Sequence, residues 1–360
     1  MTETALPRVP PDTPLDAALC DSVVDASLRH LAALVGPRGK FVYAHPAGRP
    51  DAPLAGYNML RHCGTLWFML RSVNRLALPV DDALAQAMIR GVGYAAARLE
   101  SPGWTGADAP ALALVTKGAI KLGGIGLALV MLHEYRDFLA ARGLSDSVLP
   151  LPPEATIHAL ETYALTQVQD GDFLHKRALD TGAVFPFRSD YYTGEALFGL
   201  YASGRDLPAA QAVGDALMAQ DYGIDIQSHW MAYAACEAAD RTRAPLPLVR
   251  GYLERLTARI IADPGYRNRR ESTPVACRSE ALTRFLLLAD RWHGTPRAFD
   301  AALVAQARIA AQDNLRLQLE WYDGGQFRRG DTSDKVQIDY IQHNATAFAN
   351  WRLHLSGQPA

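Results

Sequence analysis

The stretch Tyr57-Asn58-Met59-Leu60-Arg61-His62-Cys63-Gly64-Thr65-Leu66-Trp67 places a polar, aromatic and basic cluster directly before an apolar run with helical spacing. Three later stretches have the same form: 190–197, 276–282 and 339–345. In each of them, reactive or hydrogen-bonding side chains stand where a helix is expected to begin, and small residues follow. This recurrence predicts the mouth of a helical barrel, at which several helices begin together.

The composition is typical of an ordinary globular protein. Of the 360 residues, 49% are hydrophobic and 21% are charged, and the formal net charge of −2 includes no long basic run. This balance argues against nucleic acid or an anionic membrane surface as a partner. The first residues lack the apolar core of a signal peptide, and no apolar run reaches the roughly 18 residues of a membrane span. Because the four cysteines show no disulfide-framework spacing, we expect a cytoplasmic protein.

Apolar periodicity predicts an all-α chain of about twelve helices separated by turns that contain glycine or proline. The helices are expected at 15–34, 57–73, 81–99, 122–139, 154–168, 191–203, 207–220, 227–239, 246–262, 277–292, 297–318 and 338–354. Extended structure is expected only as short pieces in loops. The organisation predicted from this pattern is a flexible segment over residues 1–14 and a single domain over residues 15–356.

A glycine followed by a bulky side chain recurs along the chain and indicates six helical hairpins. Odd-numbered helices are followed by a glycine and then a bulky side chain: Gly39-Lys40-Phe41, Gly103-Trp104, Gly171-Asp172-Phe173, Gly265-Tyr266, Gly325-Gln326-Phe327 and, more weakly, Gly223-Ile224. Each glycine is expected to adopt the left-handed turn that ends a helix. The spacing of about one hairpin predicts a toroid. Long loops join odd to even helices, which predicts a functional face over the N-terminal ends of the even, inner helices.

This pattern resembles the six-hairpin glycosidase-like (α/α)6 barrels. The turns at 170–173 and 323–327 are similar to the DGxF-type elements that are frequent in these families. The resemblance covers nearly the whole chain as architecture, and it implies an (α/α)6 barrel, or toroid, of alternating outer and inner helices. The architecture includes glucoamylase-type and unsaturated-glucuronyl hydrolases, N-acylglucosamine 2-epimerase-like isomerases and lanthionine-synthetase cyclases. It therefore selects no reaction by itself.

Six side chains on the expected rim are candidates for proton transfer: Glu195, Glu280, His62, His229, Asp190 and Asp339. The two glutamates occupy matching positions in Gly-Glu-Ala-Leu and Ser-Glu-Ala-Leu, and we expect them to be an acid and a base facing each other across the cavity. The two histidines would be secondary proton carriers because histidine titrates near neutrality. The two aspartates directly precede inner helices. For all of the acids, helix capping or the helix dipole is the alternative explanation.

A second set of side chains is expected to bind the substrate at the same mouth. Arg61 and Arg278 could hold a carboxylate or phosphate group through paired hydrogen bonds. Aromatic rings could pack against the apolar faces of pyranose rings, or they could simply line the upper layer of the barrel. The expected set is Tyr57, Asn58, Arg61, Tyr191, Tyr192, Trp230, Arg278, Gln342 and His343.

No metal and no redox cofactor is expected. Cys63 or Cys277 could in principle join histidines around zinc, but the local sequence offers no ligand spacing. Lanthionine-type cyclases of this architecture use a Cys-His dipeptide, whereas this chain has His62-Cys63, in reverse order and on a different hairpin. Phosphate loops, dinucleotide fingerprints and nucleophile elbows are missing from the sequence. The glycine-rich run 123–126 is interpreted as a site of close helix packing.

The sequence favours a carbohydrate-active enzyme, either a glycoside hydrolase or a sugar epimerase or isomerase. It would act by general acid/base chemistry on a small-molecule or oligosaccharide substrate at the N-terminal ends of the inner helices. Two alternatives stay open. A cyclase or tailoring enzyme acting on a peptide or natural product predicts a wide, apolar mouth and bound zinc. A non-catalytic saccharide-binding or scaffold protein predicts ligand binding without turnover.

Overall fold

The computed structural model describes residues 10, 13–76, 78–106, 109–242 and 244–357. The described residues form twelve α-helices: α1 (Ala17–Ala33), α2 (Met59–Arg75), α3 (Asp82–Ala96), α4 (Leu122–Arg142), α5 (Pro153–Leu165), α6 (Tyr192–Ala202), α7 (Pro208–Ala219), α8 (His229–Arg241), α9 (Leu246–Ala262), α10 (Ser272–Trp292), α11 (Ala301–Leu319) and α12 (Ile338–Ser356). A 3₁₀ helix (Pro264–Arg269) precedes α10. The all-α prediction is confirmed. Most of the expected flexible segment 1–14 lies outside the described residues.

The even-numbered helices form a closed inner ring. Each packs on the next, α2 on α4, α4 on α6, α6 on α8, α8 on α10 and α10 on α12, and α12 packs back on α2. The composition of α4 gives the reason: every residue from Leu122 to Leu132 is apolar and buried, and a helix that is apolar all round is found inside a protein. Outer helix α1, in contrast, buries only one stripe. The predicted (α/α)6 barrel is confirmed. None of the described helices has the length and apolar character needed to span a bilayer.

Glycines allow α4 and α6 to approach closely. A Cβ on Gly126 would lie 2.1 Å from the carbonyl oxygen of Glu195, and a Cβ on Gly199 would lie 2.6 Å from the carbonyl oxygen of Gly126. No side chain fits at such distances, so the backbones of the two helices touch here. The interpretation of residues 123–126 as a close-packing site is confirmed.

The long loops contain ten short strands: β1 (Ala44–Pro46), β2 (Leu99–Glu100), β3 (Ala113–Thr116), β4 (Ala119–Lys121), β5 (Val168–Gln169), β6 (Asp172–Phe173), β7 (Lys176–Ala178), β8 (Tyr322–Asp323), β9 (Gln326–Gly330) and β10 (Ser333–Gln337). They form antiparallel sheets with the orders β1-β10-β9-β8, β2-β3-β4-β7 and β5-β6. Ala44 pairs with Gln337. The loop of the first hairpin is therefore bonded to that of the last, which ties the ring together on the side of the long loops.

The DGxF turns connect strands rather than ending helices. Asp170 and Gly171 have φ values of 51° and 79° and lie between β5 and β6. Two successive positive φ values are the signature of the type I′ hairpin turn, for which Asp-Gly is a favoured pair. Gly103 and Gly265 do not have positive φ values, so the expectation of a left-handed glycine is wrong at these two positions.

Helix α10 begins at Ser272 rather than at the predicted position 277. Pro274 lies in its first turn, where proline is tolerated because the backbone N–H has no helical partner to lose. The earlier start moves Glu280 down to the third turn of α10, while Glu195 is in the first turn of α6. The expectation that the two glutamates occupy equivalent first-turn positions is therefore wrong.

Candidate active site

The N-terminal ends of the inner helices surround a cavity of about 320 Å³, which we call the inner cavity. Every inner helix contributes to its lining: Asn58, Leu60, Arg61, Gly64, Leu127, Ser189, Tyr191, Tyr192, Glu195, His229, Trp230, Thr273, Cys277, Gln342 and His343. The predicted site residues in this lining are Asn58, Arg61, Tyr191, Tyr192, Glu195, His229, Trp230, Gln342 and His343. The structure thus brings most of the predicted residues into one space, on the side where the long loops were expected.

Two histidines lie together in the wall of this cavity. His229 is the first residue of α8, and its ring centroid is 5.1 Å from that of His343 on α12, with the ring planes at 83°. His343 Nδ1 donates a hydrogen bond to Glu280 Oε1 at 2.6 Å. Nε2 of His229 is buried and has no hydrogen-bond partner among the described residues. His229 therefore offers an unbonded nitrogen at the inner cavity, whereas His343 lines the same cavity and is hydrogen-bonded to Cys277 as well as to Glu280.

The surroundings of these two histidines shift their pKa values in opposite directions. Burial lowers the pKa of His229 well below its usual range, and the positive charges of His343 and Arg278 lower it further. Burial also opposes the charge on His343, but the charges and hydrogen bonds of Cys277 and Glu280 outweigh it and hold the pKa of His343 well above its usual range. Near neutral pH the pair is a neutral base beside a protonated acid, the division of roles that acid/base catalysis requires.

Glu280 supports His343 from behind. Its side chain is 0% exposed and does not line the inner cavity. Its second oxygen accepts a hydrogen bond of 2.9 Å from the Tyr233 hydroxyl, which in turn accepts one of 3.1 Å from Asn350 Nδ2. Sequence reasoning missed Tyr233 and Asn350. Their signal is that each is a polar side chain in an otherwise apolar stretch of an inner helix.

Glu195 is a buried carboxyl group that faces the inner cavity. It is 6% exposed, and its Oε2 has no hydrogen-bond partner in the described part of the chain. Burial raises the pKa of Glu195 to about 7, although the nearby charges of Arg61 and His343 act to lower it. A Cβ on Gly123 would lie 1.9 Å from the same oxygen, so the glycine makes room for the carboxyl group. Glu195 can therefore exchange a proton near neutral pH.

A second cavity of about 310 Å³, the outer cavity, adjoins the first. The two share Arg61, Tyr191, Thr273 and Cys277 in their linings. Two more predicted residues, Asp339 and Arg278, line the outer cavity. Arg61 Nη1 lies 2.9 Å from Asp339 Oδ2, so this ion pair stands where the cavities meet.

Four predicted residues line neither cavity: Glu280, which lies behind His343, and Tyr57, His62 and Asp190. His62 is fully buried against α3, where its Nδ1 accepts a hydrogen bond of 2.7 Å from the Tyr57 hydroxyl and its Nε2 donates one of 2.9 Å to the carbonyl oxygen of Gly91. Both ring nitrogens are used within the protein, so His62 is not placed to exchange a proton with a substrate. Asp190 is exposed in the loop before α6.

Sequence reasoning also missed residues in the loop wall of the inner cavity. Ser189 lines the cavity, and its backbone N–H donates a hydrogen bond of 2.9 Å to His175 Nδ1. The other ring nitrogen of His175 lies 3.1 Å from Thr193 Oγ1, and the Thr193 hydroxyl donates to Asp172 at 2.9 Å. This network fixes the loop to the start of α6. The position of His175 in a loop gave no signal of it.

Four of the described side chains could together hold a metal ion. Potential ligand atoms of His229, Cys277, Glu280 and His343 lie within 4.8 Å of one another. Histidine nitrogen and cysteine sulfur are zinc ligands, and a carboxylate bonded to the far nitrogen of a histidine is a common outer partner in zinc sites. Glu280 has that relation to His343. The sequence offered no reason to expect a metal site, because these residues come from three helices that lie far apart in the chain and only the fold brings them together.

Comparison with known proteins identifies the architecture. No family model matches the sequence, and no curated protein matches it. By structure, the chain is similar to a D-mannose isomerase with a TM-score of 0.63 at 13% identity, over 94% of this chain and 99% of that one. The fold is the (α/α)6 barrel. Two further matches to the barrel are weaker: a glycosidase (TM-score 0.49, 13% identity, 95% and 98% covered) and an α-1,6-mannanase of Salegentibacter sp. in complex with α-1,6-mannotriose (0.41, 9%, 93% and 99%).

Proposed function

We propose that this protein is a carbohydrate-active enzyme that isomerises or epimerises an aldose by general acid/base catalysis. The observation that carries the proposal is the pair His229 and His343, two imidazoles in one cavity wall with opposed pKa shifts. The structural similarity to a D-mannose isomerase supports the same class of reaction. The volume of the inner cavity, about 320 Å³, is at the lower end of the range for small-molecule sites and suits a single sugar unit.

The chemistry begins with the open-chain aldose, in which the carbonyl group at C1 acidifies the hydrogen on C2. Neutral His229 takes the C2 proton through Nε2, and protonated His343 gives a proton to the carbonyl oxygen, which forms an enediol. His229 then returns its proton to C1, and the hydroxyl on C2 gives its proton to His343. The product is the ketose, and both histidines regain their starting states. Protonation of the opposite face of C2 would instead give the epimeric aldose.

Two further residues assist this transfer. Arg61 lines the inner cavity beside Asp339, and its guanidinium can donate hydrogen bonds to an oxygen that gains negative charge. Glu195, with a pKa raised to about 7, can exchange a proton with a sugar hydroxyl and so assist ring opening. Glu280 acts through His343 and is a positioning residue.

The lining of the inner cavity favours isomerisation over glycoside hydrolysis. Hydrolysis commonly needs two carboxyl groups that flank the glycosidic bond. Among the described residues of the inner cavity, Glu195 is the one carboxyl group in the lining, since Glu280 is bonded behind His343. A proton shuttle on carbon needs one base and one acid, and the two histidines supply them.

The test is proton exchange at carbon. The protein is incubated in D₂O with a panel of aldohexoses and aldopentoses, and NMR detects deuterium at C1 of a ketose or at C2 of an epimer. His229→Asn and His343→Asn should each lower the rate by about 100-fold or more. His158 is a partly exposed histidine of α5, so His158→Asn is the matched control and should keep the rate. Release of reducing sugar from aryl glycosides, with no exchange for any aldose, would contradict the proposal.

A second candidate function is a zinc-dependent tailoring reaction, which is favoured by the cluster His229, Cys277, Glu280 and His343. In that case His229, Cys277 and His343 would be the zinc ligands, and Glu280 would orient His343. Elemental analysis distinguishes the two functions. About one zinc per chain that is lost in Cys277→Ser would support the tailoring reaction, whereas aldose isomerisation that survives chelation supports the first proposal.

A further inference from the structure

The outer cavity carries an excess of positive charge. It is lined by four arginines and two carboxylates: Arg61, Arg269, Arg278, Arg329, Glu271 and Asp339. Glu271 is shared by two of the arginines, Arg269 at 3.0 Å and Arg329 at 3.0 Å. Within the described ranges, the ion-pair partner of Asp339 is Arg61. These ion pairs leave two positive charges in excess, which favours an anion in this space.

Arg278 is the arginine whose charge its own partners do not neutralise. Its Nε donates a hydrogen bond of 2.9 Å to the amide oxygen of Gln227, and its Nη2 donates one of 3.0 Å to the carbonyl oxygen of Ile226. Both acceptors are uncharged. The guanidinium also lies 5.5 Å from the centre of the Tyr266 ring. Three neutral contacts thus hold a full positive charge at the wall of the outer cavity.

The support for Arg278 is rigid. Gln227 is buried, with 5% of its surface exposed, and its own side chain donates to the carbonyl oxygen of Asp263 at 3.0 Å. Its φ of 55° lies in the left-handed region, which is uncommon for a residue with a side chain. Because the guanidinium is already oriented, binding of an anion costs little entropy for ordering the Arg278 side chain.

A polar group between the two cavities also lacks a partner. Thr273 lines both of them, and its hydroxyl oxygen is buried without a hydrogen-bond partner among the described residues. Buried polar groups are usually satisfied, so a ligand atom that bridges the cavities would complete it. One molecule could therefore reach from the two histidines of the inner cavity, past Thr273, to Arg278.

We propose that the substrate is an aldose whose end remote from the carbonyl carbon carries an anion, a phosphate ester or a carboxylate, and that Arg278 binds this anion in the outer cavity. The proposal rests on the proposed function for the identity of the sugar part. The positively charged guanidinium binds either anion through charge-assisted hydrogen bonds, and the experiment distinguishes the two.

The experiment compares specificity within one protein preparation. For each aldohexose, kcat/KM is measured on the neutral sugar, its 6-phosphate and the corresponding hexuronate, and the anionic-to-neutral ratio is taken. The ratio should exceed about 10 for one of the two anions and should fall by about 10- to 100-fold in Arg278→Gln. Partial unfolding of the variant cancels in the ratio. The matched control is Arg255→Gln, which should keep the ratio. Arg255 lies on outer helix α9 and is paired with Asp221.

Binding of inorganic phosphate gives a readout that needs no turnover. Calorimetric titration should detect phosphate binding to the unmodified protein and to Arg255→Gln, and a loss of affinity of about 10-fold or more in Arg278→Gln. Turnover of neutral aldoses with no anionic preference and no Arg278-dependent phosphate binding would overturn the anion site and leave the proposed function standing. Arg278-dependent phosphate binding with no turnover of any aldose would support the anion site and overturn the proposed function.

Discussion

Replacement of Glu280 by glutamine tests whether a buried carboxylate controls the acid. Glutamine has nearly the same volume, and its amide can still accept from His343 Nδ1 and donate to the Tyr233 hydroxyl, so the protein should fold. Loss of the negative charge lowers the pKa of His343, because Cys277 and Glu280 together hold it above its usual range and only Cys277 remains. Less of the acid is then protonated near pH 7. We expect kcat to fall by about 100-fold or more, within the range of general acid catalysis.

The expected loss of stability follows from the same contacts. A hydrogen bond to a charged group contributes about 1.5 to 3 kcal/mol. With about 2.1 cal/mol/K of unfolding entropy per residue over 360 residues, 1 kcal/mol corresponds to about 1.3 °C in Tm, so Glu280→Gln should lose about 2 to 4 °C. Because the pKa of His343 is raised on folding, this stabilisation is complete below the unfolded pKa of about 6.5 and is lost as pH rises through the folded pKa. The Tm difference should therefore shrink at alkaline pH.

The assay combines initial rates over pH with scanning calorimetry. The alkaline limb of the kcat profile should move to lower pH in Glu280→Gln, since the acid now loses its proton earlier. Glu237→Gln is the matched control, because Glu237 is another buried carboxylate of an inner helix, paired with Arg284 at 2.8 Å but outside both cavities. It should lose stability and keep kcat. A folded Glu280→Gln protein with unchanged kcat and an unchanged pH profile would refute the reasoning.

Three further predictions concern Glu195, His62 and the glycines of α4. The pKa of Glu195 rises from 4.5 to about 7 on folding, so its stabilisation is present below pH 4.5 and lost as pH rises through 7. Glu195→Gln should therefore raise Tm by up to about 4 °C at pH 8, which corresponds to about 3 kcal/mol, and should raise it little at pH 5. We expect kcat to fall. Calorimetry that finds the same Tm difference at both pH values would contradict this prediction. His62→Ala removes two buried hydrogen bonds and should lower the free energy of unfolding by about 3 kcal/mol and Tm by about 4 °C. Its kcat should stay within about threefold of the unmodified protein. A folded variant without activity would instead indicate a catalytic role for His62. Gly123→Ala places a methyl group 1.9 Å from Glu195 Oε2 and should lower kcat by about 10-fold or more. In the control variant Gly124→Ala, the nearest atom to the new methyl group lies at 3.3 Å, so this variant should stay active. Equal rates in the two variants would count against the assigned position of Glu195.

The helices and their ring could be predicted from sequence because local signals determine them. Apolar periodicity, proline and glycine mark each helix, and α4 is apolar all round from Leu122 to Leu132 because that helix is inside. Two structural predictions were wrong because proline and Asp-Gly occur in more than one type of local structure. Pro274 is in the first turn of α10 rather than in a loop, and the Asp170-Gly171 pair turns between strands rather than ending a helix. Neither context is visible in a short window of sequence.

The candidate site was predictable as a location and much less so as chemistry. Glu195, His229 and His343 were expected at the rim, and all three line the inner cavity. Their proposed roles depend on contacts between helices that lie far apart in the chain, such as that of Glu280 with His343. His62 has the same residue type and a similar helix-start position as His229, yet its ring faces α3. A local pattern cannot give the direction in which such a side chain points.

The central claim is that His229 and His343 hold opposite protonation states in one cavity. Long-range ¹H–¹⁵N NMR of the histidine rings, assigned with His229→Asn and His343→Asn, measures this directly over about pH 5 to pH 9. We expect His229 to remain a neutral tautomer throughout and His343 to remain doubly protonated past pH 7, with its pKa lowered in Glu280→Gln. Titration of both rings near the ordinary value of about 6.5 would contradict the account.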